Sequence, residues 1–367
     1  MSSEAQIRVT YLINTLGVGG AERGMARLLS GLAPDRFNVT VVALTTGGGG
    51  IADLLPDHVT VTALGIDSLC DIPNLWSLWL ELSETDVLVT SLYHATQIGR
   101  VLGTIRRVPT ILSWQHNECF KSPLRRHLFG LLSPLDTAVL ADSQAAVAGA
   151  VDSGVPGEKV HHVPIAGIDL DEYRPVSHGA RDVVTVGTVG RLAPQKNMST
   201  VLDVAASLRD EPIQFRIAGK GPQRNELEHR IRTESLDNVA LEGFVESVPD
   251  FLGELDIYLQ PSAYEGLCVT VVEAMAAGLP VVGSAVGGIT ETVVPGETGM
   301  LEDPSSTDAF AADVLELSDD HEMRAAYGAA ARERVAAHYS RERLVEAFLE
   351  AAGIASDGAP NGFDATP

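Results

Sequence analysis

The chain has 367 residues, 45% of them hydrophobic, and a formal net charge of -23. That length exceeds what one core accommodates comfortably, so two domains are expected. The acidic balance argues against nucleic-acid binding, which needs a basic face towards phosphate. No apolar run approaches the roughly 18–20 residues of a membrane-spanning helix. The opening MSSEAQIRVTYLINTLG has no basic end before its apolar run and is not read as a signal peptide. Cys70, Cys119 and Cys268 are scattered without metal-ligand spacing and read as thiols in a reducing compartment, so the expected location is cytoplasmic. Only four of the 26 basic residues are lysine. This lysine-poor, acidic composition fits adaptation to high salt or, alternatively, a coding bias towards Arg and Asp.

Along the chain, short β-branched runs alternate with helix-period segments, the pattern of parallel sheets with crossover helices. The first series predicts strands at Ile7–Ile13, Val39–Leu44, Val59–Thr62, Val87–Thr90, Thr110–Trp114 and Ala138–Ala141, with helices such as Gly20–Leu32 and Ser143–Val151. Residues 121–132 are basic at one end and apolar along a helical face. Such a stretch suits an anionic membrane surface and equally suits an ordinary surface helix. Around Ile168–Ser177 the sequence turns loop-like, which places the hinge near residue 175. A second series follows: Val183–Val189, Ile213–Ala218, Val239–Leu241, Ile257–Gln260 and Pro280–Val282. The expected domains are 1–175 and 176–340, then an amphipathic helix at 341–352 and a disordered tail at 356–367. The fold class is α/β with two doubly wound sheets, and ligands of such sheets bind at the carboxyl ends of the strands.

Three motifs fall at those ends. Gly17-Val18-Gly19-Gly20-Ala21-Glu22 follows the first strand and opens a helix, whose free N–H groups suit a phosphate. Glu22 stands where a dinucleotide fingerprint needs glycine, so a dehydrogenase reading is weak, and the loop alone is also consistent with a tight turn. In Gly190-Arg191-Leu-Ala-Pro-Gln-Lys196-Asn197, the Arg and Lys can converge on one diphosphate, or be two solvated cations. In Glu265-Gly266-Leu267-Cys268-Val269-Thr270-Val271-Val272-Glu273, the second carboxylate lies inside an apolar helix and must find a partner. A pair of ribose hydroxyls would serve, as would a capping or pairing role within the domain. The backbone N–H groups of Gly266, Leu267, Cys268 and Val269 could hold phosphate oxygens or sugar hydroxyls.

Over nearly its whole length the chain resembles glycosyltransferase family 4, the retaining GT-B enzymes that use nucleotide sugars. The element from Glu265 to Val282, with its EAMAAGLPVV continuation, is the most specific part. Further matches are Arg191 and Lys196 in TVGRLAPQKN, Gly219 in GKGP, Gly19 and Gly20 in GVGGAER, and His116 in SWQHN. The resemblance implies two Rossmann-like domains facing across a cleft, with the helix at 341–352 crossing back to the N-domain. It implies that Glu273 holds the ribose, that Arg191 and Lys196 neutralise the leaving diphosphate, and that Glu265 meets sugar hydroxyls beside the 266–269 backbone. His116 would position the sugar, Gly19 and Gly20 would close over the phosphates, and the nucleobase would rest near Phe244 and Val245. The implied catalytic set is Glu265, His116, Arg191 and Lys196. No metal and no cofactor is expected, because the nucleotide sugar is the substrate and the cations come from the protein. The expected acceptor is a glycan, a lipid-linked intermediate or a small molecule in surface polysaccharide or glycoconjugate synthesis.

Ala166 in VPIAGID and Cys268 depart from the family's usual residues and put local loop geometry in question. Asp169-Leu170-Asp171 reads as a turn rather than a metal-binding pair. Alternatives are a nucleotide-sugar epimerase of the same fold, which lacks identifiable acid/base residues, and a catalytically silent nucleotide-binding subunit. A pyridoxal-phosphate phosphorylase would need Lys196 or Lys220, both already explained by the transferase pattern.

Overall fold

The computed structural model describes residues 5–17, 19–47, 50–66, 71–116, 120 and 122–355. Cys70, Cys119, Lys121 and the tail at 356–367, all named above, lie outside the described residues. The chain divides into two compact units, one running to Gly167 and resuming at Arg341, the other Ile168–Ser340.

The first unit contains β1 (Ile7–Ile13), α1 (Gly20–Gly31), β2 (Phe37–Ala43), β3 (Thr60–Ala63), α2 (Ile72–Glu81), β4 (Val87–Ser91), α3 (Tyr93–Arg106), β5 (Thr110–Gln115), α4 (Pro123–Leu132), β6 (Ala138–Ala141), α5 (Gln144–Asp152) and β7 (Val160–His162). Its sheet has the order β3-β2-β1-β4-β5-β6-β7, with every pairing parallel. β4 and β5 are buried along their whole length, because crossover helices cover both faces and such strands must be apolar throughout. That is why they were legible as unbroken runs. β7 was not: it holds His161 and His162, and its residues are half-buried or exposed at the sheet edge.

A fully buried ion pair ties this unit together. Arg100 of α3 meets Asp136 at 2.5 Å, and Asp136 also accepts from Ser113 Oγ at 2.7 Å. The guanidinium donates to the Phe129 carbonyl at 2.9 Å and stacks over the Phe129 ring. One buried cation therefore joins α3, β5, α4 and the turn before β6.

The second unit contains β8 (Val184–Val189), α6 (Met198–Ser207), β9 (Ile213–Ala218), α7 (Arg224–Thr233), β10 (Val239–Gly243), α8 (Val248–Gly253), β11 (Ile257–Gln260), α9 (Val269–Ala276), β12 (Val281–Ser284), α10 (Ile289–Thr292), β13 (Gly299–Glu302), α11 (Thr307–Asp319) and α12 (His321–His338). The sheet order is β10-β9-β8-β11-β12-β13, again parallel. β13, with no counterpart in the sequence reading, is a partly exposed edge strand. The final helix, α13 (Arg341–Ala351), belongs to the first unit and packs on α1.

The division falls after Gly167, not near residue 175. Residues 168–176 look like linker but are strapped to the second unit. Val176 N–H donates to the Ala277 carbonyl at 2.9 Å. Arg332 of α12 donates to the carbonyls of Tyr173 (2.8 Å) and Leu170 (3.0 Å). Asp169 caps a single helical turn, Leu170–Glu172, and its side chain accepts from Asp171 N–H at 3.0 Å.

Asp136→Ala strands the Arg100 charge in the interior, which costs about 3–5 kcal/mol. Denaturant unfolding should show this loss, and a change below about 1 kcal/mol would refute the role given to the pair.

Candidate functional site

In the second unit, the loops after β8, β9, β11 and β12 pack backbone against backbone at the carboxyl ends of the strands. Leu192 N–H donates to the Lys220 carbonyl at 3.0 Å and Gly288 N–H to the Gly266 carbonyl at 2.6 Å. Two glycines make this possible. Gly219 has φ +149°, and a Cβ there would stand 1.8 Å from the Gly190 carbonyl oxygen. Gly287 has φ +47°, and its Cβ would stand 2.0 Å from the Glu265 oxygen. No side chain fits either place.

Ala263 N–H donates to the Gln195 carbonyl at 2.9 Å, which joins the loops after β8 and β11 and brings Lys196 and Glu265 together. Their Nζ–Oε1 distance is 2.8 Å and both side chains are largely buried. Ser262 Oγ donates to the same carboxylate at 2.7 Å, and Gln195 Nε2 reaches the other oxygen at 3.3 Å. Behind Ser262 the chain continues inward. Gln260 Nε2 donates to Ser262 Oγ (2.9 Å), and the Tyr258 hydroxyl donates to Gln260 Oε1 (3.1 Å). Burial opposes the Lys196 charge, yet Cys268 and Glu265 beside it hold its pKa above the ordinary lysine value. Burial, then Glu265, push the Cys268 thiol up to about 11 against the pull of Lys196. Cys268 is therefore a neutral thiol near neutrality, and Glu265 is the group that keeps Lys196 charged.

Cys268, in the left-handed region at φ +56°, caps α9. Glu273 lies one turn inside that helix, is 1% exposed and interacts with its surroundings. Arg191 is exposed, and its side chain has no hydrogen bond or ion pair among the described residues. Phe244 is exposed beneath the Lys220 ammonium, 4.9 Å from its ring centroid. Val245 is the second residue after β10. All the candidates of the second unit thus lie on its strand-end loops or in α9.

In the first unit, Gly19 caps α1 and Gly20 begins it, and a Cβ on Gly19 would stand 2.5 Å from Glu22 Oε2. Burial raises the Glu22 pKa, against a backbone hydrogen bond and the His116 ring. His116 follows β5. Its Nδ1 is 2.8 Å from Asp142 Oδ2 and its Nε2 2.7 Å from Ser91 Oγ, so both ring nitrogens have internal partners. Asp142 also accepts from the Trp114 indole at 2.5 Å. The sequence reading passed over Asp142, Ser91, Ser262 and Gln260. A carboxylate directly after β6 was a usable signal for Asp142. Ser262 and Gln260 stand within five residues of Glu265, and that polar run after β11 was a usable signal too, whereas Ser91 meets His116 from 25 positions away and no local spacing shows it.

Among the described residues there is no group of three or more His, Cys, Asp or Glu arranged to hold a metal ion. Two family models match, "Glycosyl transferase 4-like domain" over residues 19–166 and "Glycosyl transferases group 1" over 171–334. The chain belongs to the family 4-type glycosyltransferases. Alpha-D-kanosaminyltransferase of Streptomyces kanamyceticus is 32% identical over 202 residues, 51% of this chain and 52% of that protein. The chain thus spans about half the length of the curated relatives it matches at that level. An Escherichia coli UDP-Gal:alpha-D-GlcNAc-diphosphoundecaprenol alpha-1,3-galactosyltransferase is 22% identical over 87% of this chain and 90% of its own. Among solved structures, Anabaena HepE in complex with UDP-glucose superposes with a TM-score of 0.82 at 21% identity, over 94% of this chain and 99% of that one. This likeness shows the GT-B fold.

With a pKa of about 11, Cys268 should react with iodoacetamide at pH 8 about two orders of magnitude more slowly than an unperturbed cysteine. Peptide mapping by mass spectrometry reads the rate at this position, and labelling as fast as a model thiol would contradict the buried, neutral state.

Proposed function

We propose that the chain transfers a sugar from a nucleoside-diphosphate donor to a glycan, lipid-linked or small-molecule acceptor. The observation that carries this reading is the occurrence, on one set of strand-end loops, of a buried charged Lys196 and an exposed Arg191 whose side chain has no partner among the described residues. A diphosphate leaving group develops negative charge as the sugar departs. Fixed cations and free N–H groups at the head of a helix stabilise that charge without reorganising.

In this reading Arg191 and Lys196 bind the diphosphate, and Glu273 takes the ribose hydroxyls. Glu265, held by Lys196 and Ser262, meets the sugar together with the backbone of Gly266, Leu267, Cys268 and Val269. Gly219, Phe244 and Val245 border the nucleoside. Gly19, Gly20 and His116 are assigned to the phosphates and the transferred sugar by the family resemblance. Asp142 and Ser91 already fix the His116 ring, so a ligand hydroxyl reaching Nε2 would take the place of Ser91. Retention of configuration and independence of metal follow the family pattern, and the two protein cations support the second. The name of the Escherichia coli relative supports a lipid-linked acceptor. With it goes a location at the inner face of the membrane, through the segment read at 121–132.

The test is thermal stability against a panel of UDP-, GDP-, ADP- and TDP-sugars, with Arg191→Ala beside the unaltered chain. A ligand at 100 times its Kd adds about 2.7 kcal/mol. One nucleotide class should stabilise the unaltered chain and not Arg191→Ala, whose ligand-free stability should be unchanged because the side chain is exposed. If no nucleotide sugar stabilises the folded protein, the transferase reading fails and a silent subunit becomes the better account.

A further inference from the structure

We infer that the outer face of α2, α3 and α4 is a docking surface for an anionic lipid bilayer. This rests on the membrane location proposed above and extends it from one segment to a three-helix face. Among the described residues, seven of the 13 exposed large hydrophobic side chains lie on these three helices. Ile72 (73% exposed), Trp76 (56%) and Leu80 form one stripe, since residues four apart share a helix face. Ile105 of α3 and Leu124 and Leu131 of α4 continue the apolar surface. The helices touch in the order α2-α3-α4, and exposed apolar area gathered in this way marks an interaction site.

The charge of the face selects the occupant. In a chain of net charge -23, residues 87–135 hold one acid, Glu118, which lies outside the described residues, against six Arg and Lys. On α3 and α4 there are no acids. The acids near α2 are confined to its ends, at Asp71, Glu81 and Glu84. Arg106 lies over the Trp79 ring at 4.0 Å and Arg125 over Tyr93 at 4.8 Å, while Trp79 stacks on Trp76 at 4.5 Å. Arginine held on aromatic rings beside exposed Trp, Ile and Leu matches the headgroup region, where phosphates meet the cations and the rings sit at the boundary of the acyl chains. A second copy of the chain would bring the same arginines to the same arginines, so self-pairing is disfavoured. The buried Arg100–Asp136 pair fixes α3 against the turn after α4, which keeps the surface in one piece.

The test is sedimentation of the full chain with vesicles of equal parts phosphatidylcholine and phosphatidylglycerol, and with phosphatidylcholine alone. Brominated lipid serves as a tryptophan quencher. Trp114 is buried, so quenching reads Trp76 and Trp79. The expected result is binding to the anionic vesicles only, weakened by added KCl, with quenched fluorescence. Ile72→Ser with Trp76→Ser and Leu80→Ser should weaken binding about tenfold, as should Leu124→Ser with Leu131→Ser, at unchanged melting temperature. Binding lost in the α4 variant but kept in the α2 variant would overturn the three-helix face and leave only the contact read at 121–132. Absence of binding to either vesicle would overturn both. Self-association that the α2 variant abolishes, without vesicle binding, would assign the face to a second copy and overturn the inference. None of these outcomes depends on sugar transfer, so they are separable from failure of the enzymatic reading.

Discussion

A carboxylate in a protein interior keeps its charge only beside a fixed cation or strong donors, and Glu265 has both. Lys196 lies 2.8 Å away and Ser262 donates at 2.7 Å. The second unit is built around that requirement. The lysine comes from the loop after β8 and the glutamate from the loop after β11. They meet beside the bond from Ala263 N–H to the Gln195 carbonyl. Each loop is held on its other side by a backbone approach too close for any side chain, Gly219 against Gly190 and Gly287 against Glu265. Removing a buried cation from such a pair is costly, whereas Arg191, at the surface, is free of structural duty. One cation holds the site together and the other is available to a ligand.

The first unit treats His116 in a similar way. Asp142 and Ser91 take its two ring nitrogens, and the Trp114 indole takes the second oxygen of Asp142. A ring so held has one orientation, which is useful to an enzyme that must place a sugar and costly to a protein with no such task. The buried polar chain from Tyr258 to Glu265 makes the same point in the second unit. Polar networks in an interior must be fully satisfied, and satisfied ones specify a single geometry.

The parallel strands were legible in the sequence because burial on both faces forces continuous apolar runs, and β1, β6, β9 and β11 begin and end where the pattern places them. β7 and β13 escaped because they are short and carry His161, His162, Gly299 and Glu302, whereas the other edge strands, β3 and β10, keep Val61, Val239 and Leu241. The boundary at Gly167 escaped because a loop that reads as a hinge can still be strapped to one unit by main-chain contacts, here through Arg332 and Val176. The candidate site was legible where a motif is contiguous, as from Glu265 to Glu273. A tertiary partner such as Ser91, 25 positions from His116, has no periodicity to announce it. The exposed stripe on α2 was equally hidden. Its Trp, Leu and Ile residues look like core in a linear reading, and only the fold shows which of them face outwards.

The most direct test of the central claim is a crystal structure of the chain with a bound nucleoside diphosphate. The diphosphate oxygens should lie within hydrogen-bonding distance of Arg191 and Lys196, with the ribose hydroxyls on Glu273 and the Lys196–Glu265 pair intact. A nucleotide bound elsewhere, or one that leaves Arg191 and Glu273 untouched, would contradict it.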